Sequence, residues 1–211
     1  MNALLSLIDS LPQLVQGFWV TLILFVFAFA LGLAGGVLIL IGRTFGPKWL
    51  KCLLWLYTTF FRSVPLVMVL LFYYLALPSS ISKDAVAIIA FAFFEAAYFG
   101  EILRAGMNTL KKGQMEAAYS LGLSKLQTFR YVLLPQVFKA SKLSIVNQAI
   151  ILFQDTSLVY VIGAADLFTI ANRQGQQSGQ LTAHILFAGA FYLIVSLIAT
   201  KLLIKTTRRT S

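Results

Sequence analysis

Three charged residues stand within long apolar stretches of the sequence and are its clearest candidates for chemistry. Arg62 comes eleven residues after Lys51, Asp155 comes thirteen after Lys142, and Glu95 lies about ten residues from either end of its apolar segment. At about 1.5 Å per helical residue, these positions fall near the middle of a bilayer core about 30 Å thick. A charge at that depth must face protein, water or a counter-charge. We therefore expect the three side chains to point inward together.

The three charges suit the recognition of a small zwitterion. An arginine such as Arg62 can hold a carboxylate through two hydrogen bonds, while Glu95 or Asp155 can accept an ammonium group. Thr156 and Ser157 follow Asp155 and can fill the remaining hydrogen bonds. The alternative is an ion pair of Arg62 with Glu95 or Asp155 that only locks helices together.

The surroundings of these charges favour a wetted cavity. Pro65 follows Arg62 by three residues and cannot donate to the carbonyl of Phe61, which predicts a kink where the charge lies. The segment before Asp155 also holds further polar side chains that are unlike a lipid-facing surface, namely Asn147, Gln148 and Gln154.

The composition of the chain is that of a membrane protein. Apolar residues make up 59% of the 211 residues and charged residues only 11%, whereas a soluble domain is about one quarter charged. The lone Cys52 excludes an internal disulfide framework and a thiolate metal site. No metal site and no catalytic residue is expected, so the chain is not predicted to be an enzyme.

Five apolar segments are long enough to span a membrane, and they predict an all-α, polytopic protein that forms one membrane domain over residues 1–211. Basic residues collect on one side of these segments, so the positive-inside rule places the N-terminus outside and the C-terminus in the cytoplasm. The net charge of +10 is therefore a consequence of topology and does not indicate a nucleic-acid site. The predicted spans are 14–41, 51–77, 85–105, 142–163 and 182–204.

Small residues recur at every fourth position of the first span, at Ala28, Gly32 and Gly36. This spacing is typical of helices whose backbones approach closely in lipid. It predicts close packing against another span, although the pattern alone does not identify the partner.

The loop over residues 111–139 is too polar to span and predicts two short cytoplasmic helices. Gly122 can adopt the left-handed conformation that ends the first helix, with Leu123 just beyond it. Ser124 and Gln127 have the spacing of a capping box, which opens a second helix that we expect to end at Pro135. Glu116 falls early in the first helix, where a carboxylate suits the helix dipole.

The same loop resembles the EAA loop of ABC importer permeases. The resemblance rests on Glu116-Ala117-Ala118, on Gly122 and on the aliphatic residues before Pro135. In that family the loop forms the coupling helices that dock onto a cytoplasmic ATPase. The resemblance therefore implies that Glu116, Ala117, Gly122 and Leu123 contact the ATPase.

Further motifs extend the resemblance over about residues 15–205. The runs FFRSVPLVMVLLFYYL, EAAYFGEILRAG and FQDTSLVYVIG are similar to segments of polar amino acid uptake permeases, which have five spans and a type I importer fold. FQDTSLVYV most resembles glutamate/aspartate permeases, although Gln154 stands where many other members have lysine. One positive and two negative buried charges would equally suit glutamine or a basic amino acid.

The resemblance also implies partners and a location. The expected assembly has two permease subunits, a dimer of ATP-binding cassette subunits and an extracytoplasmic substrate-binding protein in a bacterial cytoplasmic (inner) membrane. No Walker loop occurs in the sequence. ATP and Mg²⁺ are therefore expected on the partner ATPase, and this chain is expected to bind no cofactor.

Two alternatives to this interpretation belong to other classes of protein. In the first, the chain is an autonomous secondary transporter in which Glu95 or Asp155 carries an ion. In the second, it is a structural membrane subunit without a substrate path. Transport driven by an ion gradient alone would favour the first, and normal uptake after neutralisation of all three charges would favour the second.

Overall fold

The computed structural model describes the backbone of residues 3–111 and 113–208 and the side chains as far as residue 203, and every regular element in that part of the chain is helical. Four helices are long and apolar enough to cross a membrane, and there are five if the bent pair α2–α3 is one span. The all-α prediction is confirmed. In chain order the helices are α1 (Ala3–Phe45), α2 (Lys48–Ser63), α3 (Leu66–Ala76), α4 (Lys83–Asn108), α5 (Gln114–Ser120), α6 (Lys125–Gln127), α7 (Leu134–Asp155), α8 (Leu167–Ser178) and α9 (Leu181–Arg208).

Some of the basic residues that predict the orientation lie outside the part of the chain that the structure describes. Lys112 and Arg209 lie outside the described residues, as do the side chains of Lys205 and Arg208.

Helix α1 packs along α4 through its small residues. A Cβ atom on Gly32 would stand 2.6 Å from the Cβ of Glu95, and one on Gly36 would stand 2.6 Å from the Cβ of Phe99. Real side chains do not approach so closely, so glycine allows the two backbones to come this near. The predicted packing stripe is confirmed, and its partner is the helix that carries Glu95.

The second predicted span, residues 51–77, is two helices and not one. Helices α2 and α3 are bent by 108° relative to each other, and Val64 between them is extended, with φ −102° and ψ 135°. Proline lacks an N–H group and disfavours helical backbone at the preceding residue. The predicted kink at Pro65 is thus a complete break directly after Arg62.

The prediction that the second loop helix ends at Pro135 is wrong. A continuous helical segment runs over Lys125–Ile162, with a π-helical turn at Thr128–Leu133 and a final 3₁₀ segment at Thr156–Ile162. Pro135 stands in the first turn of α7, where its missing N–H group is not needed. The N–H of Leu134, directly before the proline, donates to the carbonyl of Phe129, five residues earlier, in the widened turn.

Helix α8, on the connection between α7 and α9, was not predicted. Its N-cap is the buried Asp166, which accepts hydrogen bonds from the N–H groups of Phe168 (3.1 Å) and Thr169 (2.9 Å) and from the hydroxyl of Tyr192 (3.2 Å). Burial raises the pKa of the Asp166 carboxyl, although these hydrogen bonds act in the opposite direction. Asp166 therefore fixes the start of α8 and ties it to α9.

The buried apolar side chains form three clusters along the helices. The one at the N-terminal end of α1 joins α1, α8 and α9 around Leu14 and Ala171. The central one joins α1, α3, α4 and the end of α7 around Leu24 and Phe91. The third joins α1 and α4 to the π-helical turn through Phe129 and Leu133. These clusters hold the candidate charges at different depths.

Candidate functional site

Glu95 is the most deeply buried of the three candidate charges. Its relative exposure is 0%, and the side-chain amide of Gln148 on α7 donates to its two carboxylate oxygens at 3.2 and 3.1 Å. Gly32 of α1 covers the other side, where only a glycine fits. Glu95 therefore joins α1, α4 and α7 and lies inside the packed bundle in this conformation.

Arg62 lies at the break between α2 and α3, and its side chain is 47% exposed. Its guanidinium is 4.0 Å from Glu101 and lies over the ring of Tyr98, 5.7 Å from the centroid. Among the described residues, Arg62 makes no ion pair with Glu95 or with Asp155. The predicted meeting of the three charges is therefore not seen in this conformation, and Glu101 is the acidic partner of Arg62.

Glu101 is the centre of a polar cluster that joins α1, α2 and α4. Arg43 of α1 donates to Oε1 of Glu101, and Nε of Arg104 donates to Oε2 at 2.7 Å. Thr58 of α2 donates to Oε1 at 3.2 Å. The spacing of Glu101 and Arg104, three residues apart in one helix, is a signal in the sequence for their ion pair, whereas no local pattern indicates Arg43 or Thr58.

A cavity of about 470 Å³ opens between α2, α4 and α7 beside this cluster. Arg62 and Arg104 line it, and Glu101 is the one acidic residue on its wall. The cavity combines two guanidinium groups with hydroxyl and amide groups, which suits a small ligand that carries a carboxylate. Its other polar lining residues are Tyr98, Thr109, Ser141, Ser144 and Gln148.

Asp155, Thr156 and Ser157 lie at another depth. Asp155 comes seven residues after Gln148 in the same helix, which places it about 10 Å farther along the axis. Thr156 is completely buried and donates to the carbonyl of Phe153 at 2.7 Å, and Ser157 donates to that of Gln154 at 2.8 Å. These three residues do not line the 470 Å³ cavity, so Arg62 alone of the five predicted path residues does.

The loop between α4 and α7 presents the predicted coupling residues on its surface. Glu116 lies in the first turn of α5, and Glu116, Ala117 and Gly122 are exposed while Leu123 is half-buried. Gly122 adopts φ +79°, as predicted. The capping box is also confirmed, because the Ser124 hydroxyl accepts from the Gln127 N–H while the Gln127 side chain accepts from the Ser124 N–H.

The apolar residues of this loop divide into two groups. Phe129 and Leu133 are buried against α1 and α4, whereas Leu121 and Leu126 are 82% and 68% exposed. The first pair anchors the loop to the bundle. The second pair, together with Glu116 and Gly122, gives an exposed surface of mixed character that is suited to a protein partner.

Known proteins resemble this chain over almost its whole length. Residues 32–207 match the family described as "Binding-protein-dependent transport system inner membrane component". The chain is 40% identical over 220 residues to the glutamate/aspartate import permease protein GltK of Escherichia coli O6:H1, covering 98% of this chain and 97% of the relative. It is 34% identical to the arginine transport system permease protein ArtQ of Bacillus subtilis, covering 92% of this chain and 90% of the relative.

A solved structure agrees in fold. The crystal structure of an amino acid ABC transporter with histidines superposes with a TM-score of 0.86 at 30% sequence identity, covering 97% of both chains.

Proposed function

The chain belongs to the family of binding-protein-dependent transport system inner membrane components, and from that premise we propose that it is the permease subunit of an ATP-driven importer for an acidic amino acid. In this proposal it carries glutamate or aspartate across the cytoplasmic membrane of a bacterium. The N-terminus is outside and the C-terminus is in the cytoplasm.

The observation that carries the proposal is the cavity between α2, α4 and α7. Arg62 and Arg104 both line it, and Glu101 on the same wall is already engaged by Arg43 and Arg104. An acidic amino acid brings two carboxylates and one ammonium group. Two guanidinium groups match this charge pattern better than they match a basic amino acid. Arg62 would repel the cationic side chain of such a substrate.

In the proposed transport cycle the substrate moves between groups at different depths. Arg62 holds a substrate carboxylate in the cavity, and Asp155, Thr156 and Ser157 border the path at a second level. Glu95 is packed against Gln148 in the present conformation. We propose that it meets the path when the helices move apart, as expected for a two-state switch.

The driving force comes from outside the chain. The surface formed by Glu116, Ala117, Gly122 and Leu123 is proposed to dock onto a cytoplasmic ATPase, which binds ATP and Mg²⁺. The assembly also contains a second permease subunit and an extracytoplasmic substrate-binding protein. Because α7 is continuous with the loop from Lys125 onward, displacement of that part of the loop is transmitted to the helix that holds Gln148 and Asp155.

Substrate competition in vesicles that hold the whole complex tests this function. Labelled glutamate is offered with unlabelled glutamate, aspartate, glutamine, arginine or histidine, with and without ATP inside. We expect ATP-dependent uptake that glutamate and aspartate inhibit and that arginine and histidine do not.

Two outcomes would contradict the proposal. Inhibition by glutamine or arginine, with none by aspartate, would assign the importer to a neutral or basic amino acid. Uptake by the chain alone down an ion gradient, with no ATPase present, would make it a secondary transporter.

A further inference from the structure

A second polar pocket lies apart from the substrate cavity, on the other side of Arg104. It measures about 620 Å³ and opens where α1 ends, α2 begins and α4 ends. Among the described residues, three basic side chains line it and no acidic one does. The lining comprises Leu40, Arg43, Thr44, Lys51, Cys52, Trp55, Arg104, Met107 and Asn108.

The hydrogen-bonding capacity of its arginines is only partly used. Glu101 engages Nη1 of Arg43 and Nε of Arg104. The other guanidinium N–H groups have no protein partner in the described part of the chain. Lys51 is exposed and makes no ion pair with any described residue. The pocket therefore offers two arginines that Glu101 holds in place and one exposed lysine, which together are the kind of donor set that a phosphate requires.

Exposed apolar side chains of α2 lie at the pocket and next to it in sequence. Trp55 lines the pocket and is 53% exposed, and its neighbours Trp49, Leu53 and Leu56 on α2 are 68%, 55% and 57% exposed. Tryptophan is enriched where the headgroups of a bilayer meet its hydrocarbon. Cationic lining residues next to exposed apolar side chains fit a ligand with an anionic head and an apolar body.

We propose that this pocket binds the headgroup phosphate of an anionic phospholipid, with the acyl chains lying along the exposed face of α2. In the orientation given above, the pocket faces the cytoplasmic leaflet, and basic pockets between helices on that side are suited to anionic headgroups. The lipid is bound beside Arg43 and Arg104, so it also supports the position of Glu101 next to the substrate cavity.

Cys52 provides the test, because it lines the pocket and is the sole cysteine of the sequence. The full complex is placed in vesicles of phosphatidylcholine, or of phosphatidylcholine with phosphatidylglycerol. The rate of Cys52 alkylation by neutral N-ethylmaleimide is then followed by mass spectrometry. A third sample has phosphatidylcholine vesicles with inorganic phosphate. We expect phosphatidylglycerol to slow alkylation and inorganic phosphate to leave it unchanged.

Two variants locate the effect. Lys51→Gln removes a pocket cation, and Lys48→Gln removes the same charge from an exposed position three residues earlier that does not line the pocket. We expect Lys51→Gln to raise the phosphatidylglycerol concentration needed for half-maximal protection by about fivefold, which is the effect of about one basic residue near an anionic surface. Lys48→Gln should retain the protection of the parent.

Three results would overturn the proposal. Protection by inorganic phosphate would mean that the pocket takes a free anion and not a lipid. Equal effects of Lys48→Gln and Lys51→Gln would mean a diffuse surface attraction. Equal alkylation rates in both kinds of vesicle would mean that no anionic lipid occupies the pocket.

Discussion

Arg62 is a charged residue of the helical bundle that is half-exposed and faces an open cavity. The break at Pro65 ends α2 directly after it, so its guanidinium projects from a helix end and is not enclosed by packed side chains. Glu95 has the opposite position, since Gln148 and Gly32 enclose it. The environment of each charge, and not its type, decides which one is open to a ligand.

Substitution of Arg62 gives the prediction at this scale. Arg62→Ala should raise the KM for glutamate uptake by about 10- to 100-fold, since a hydrogen bond to a charged group contributes about 1.5–3 kcal/mol. Arg62→Lys should fall between this variant and the parent, because it keeps the charge but loses the two-pronged geometry. Uptake kinetics in vesicles that contain the whole complex measure both values.

The exposed Arg173 on α8 supplies the matched control, because it does not line the cavity. Arg173→Ala should have the KM of the parent. If Arg62→Ala and Arg62→Lys insert normally and also transport at the parental rate and KM, Arg62 does not contact the substrate.

At the scale of elements, the loop and the fourth span act as one piece. The π-helical turn carries the helix through Pro135, so Lys125 is connected to Gln148 and Asp155 by continuous helix, and α5 joins this helix through the turn at Gly122. The positive φ of Gly122 sets the angle between α5 and this long helix. We therefore expect that a strained residue at position 122 disturbs coupling more than it disturbs folding.

Alanine substitutions at two glycines separate an effect on coupling from an effect on folding. Gly122 and Gly179 have φ of +79° and +68°, and a Cβ on either would meet no other atom within 4 Å. Alanine at each should therefore carry a similar backbone strain of about 1–2 kcal/mol. Both variants should lose similar thermal stability, but only Gly122→Ala should lower the uptake obtained per ATP hydrolysed. Equal losses of coupling would refute the role of the α5 turn.

At the scale of the whole molecule, the basic residues predict how the bundle sits in the membrane. Ser79, between α3 and α4, and Ser120, at the end of α5, are both exposed and lie on opposite sides in the proposed orientation. In a Cys52→Ser background, Ser79→Cys should react with an impermeant maleimide on intact cells, whereas Ser120→Cys should react only after permeabilisation. The reverse pattern of labelling would invert the proposed topology.

Local rules predicted the parts of the fold that depend on neighbours in sequence. The capping box at Ser124, the left-handed Gly122 and the interruption at Pro65 are all confirmed, because each depends on a few adjacent residues. The resemblance to polar amino acid importer permeases is confirmed as well. Helix α8 was missed although its N-cap Asp166 is a local signal, whereas the burial of Asp166 against Tyr192, 26 residues away, is visible only in the structure.

The sequence by itself determined that the chain is a helical membrane bundle, that Glu95 lies in its interior and which loop belongs to the importer family. The tertiary structure alone decided which charges meet. Arg62, Glu95 and Asp155 lie at similar distances from the span ends in sequence. The break of α2 from α3 and the packing of α1 on α4 instead bring Arg62 and Arg43 toward Glu101 and leave Glu95 to Gln148. Charge partners follow the angles and depths of packed helices, and these angles are set by contacts between residues far apart in the chain.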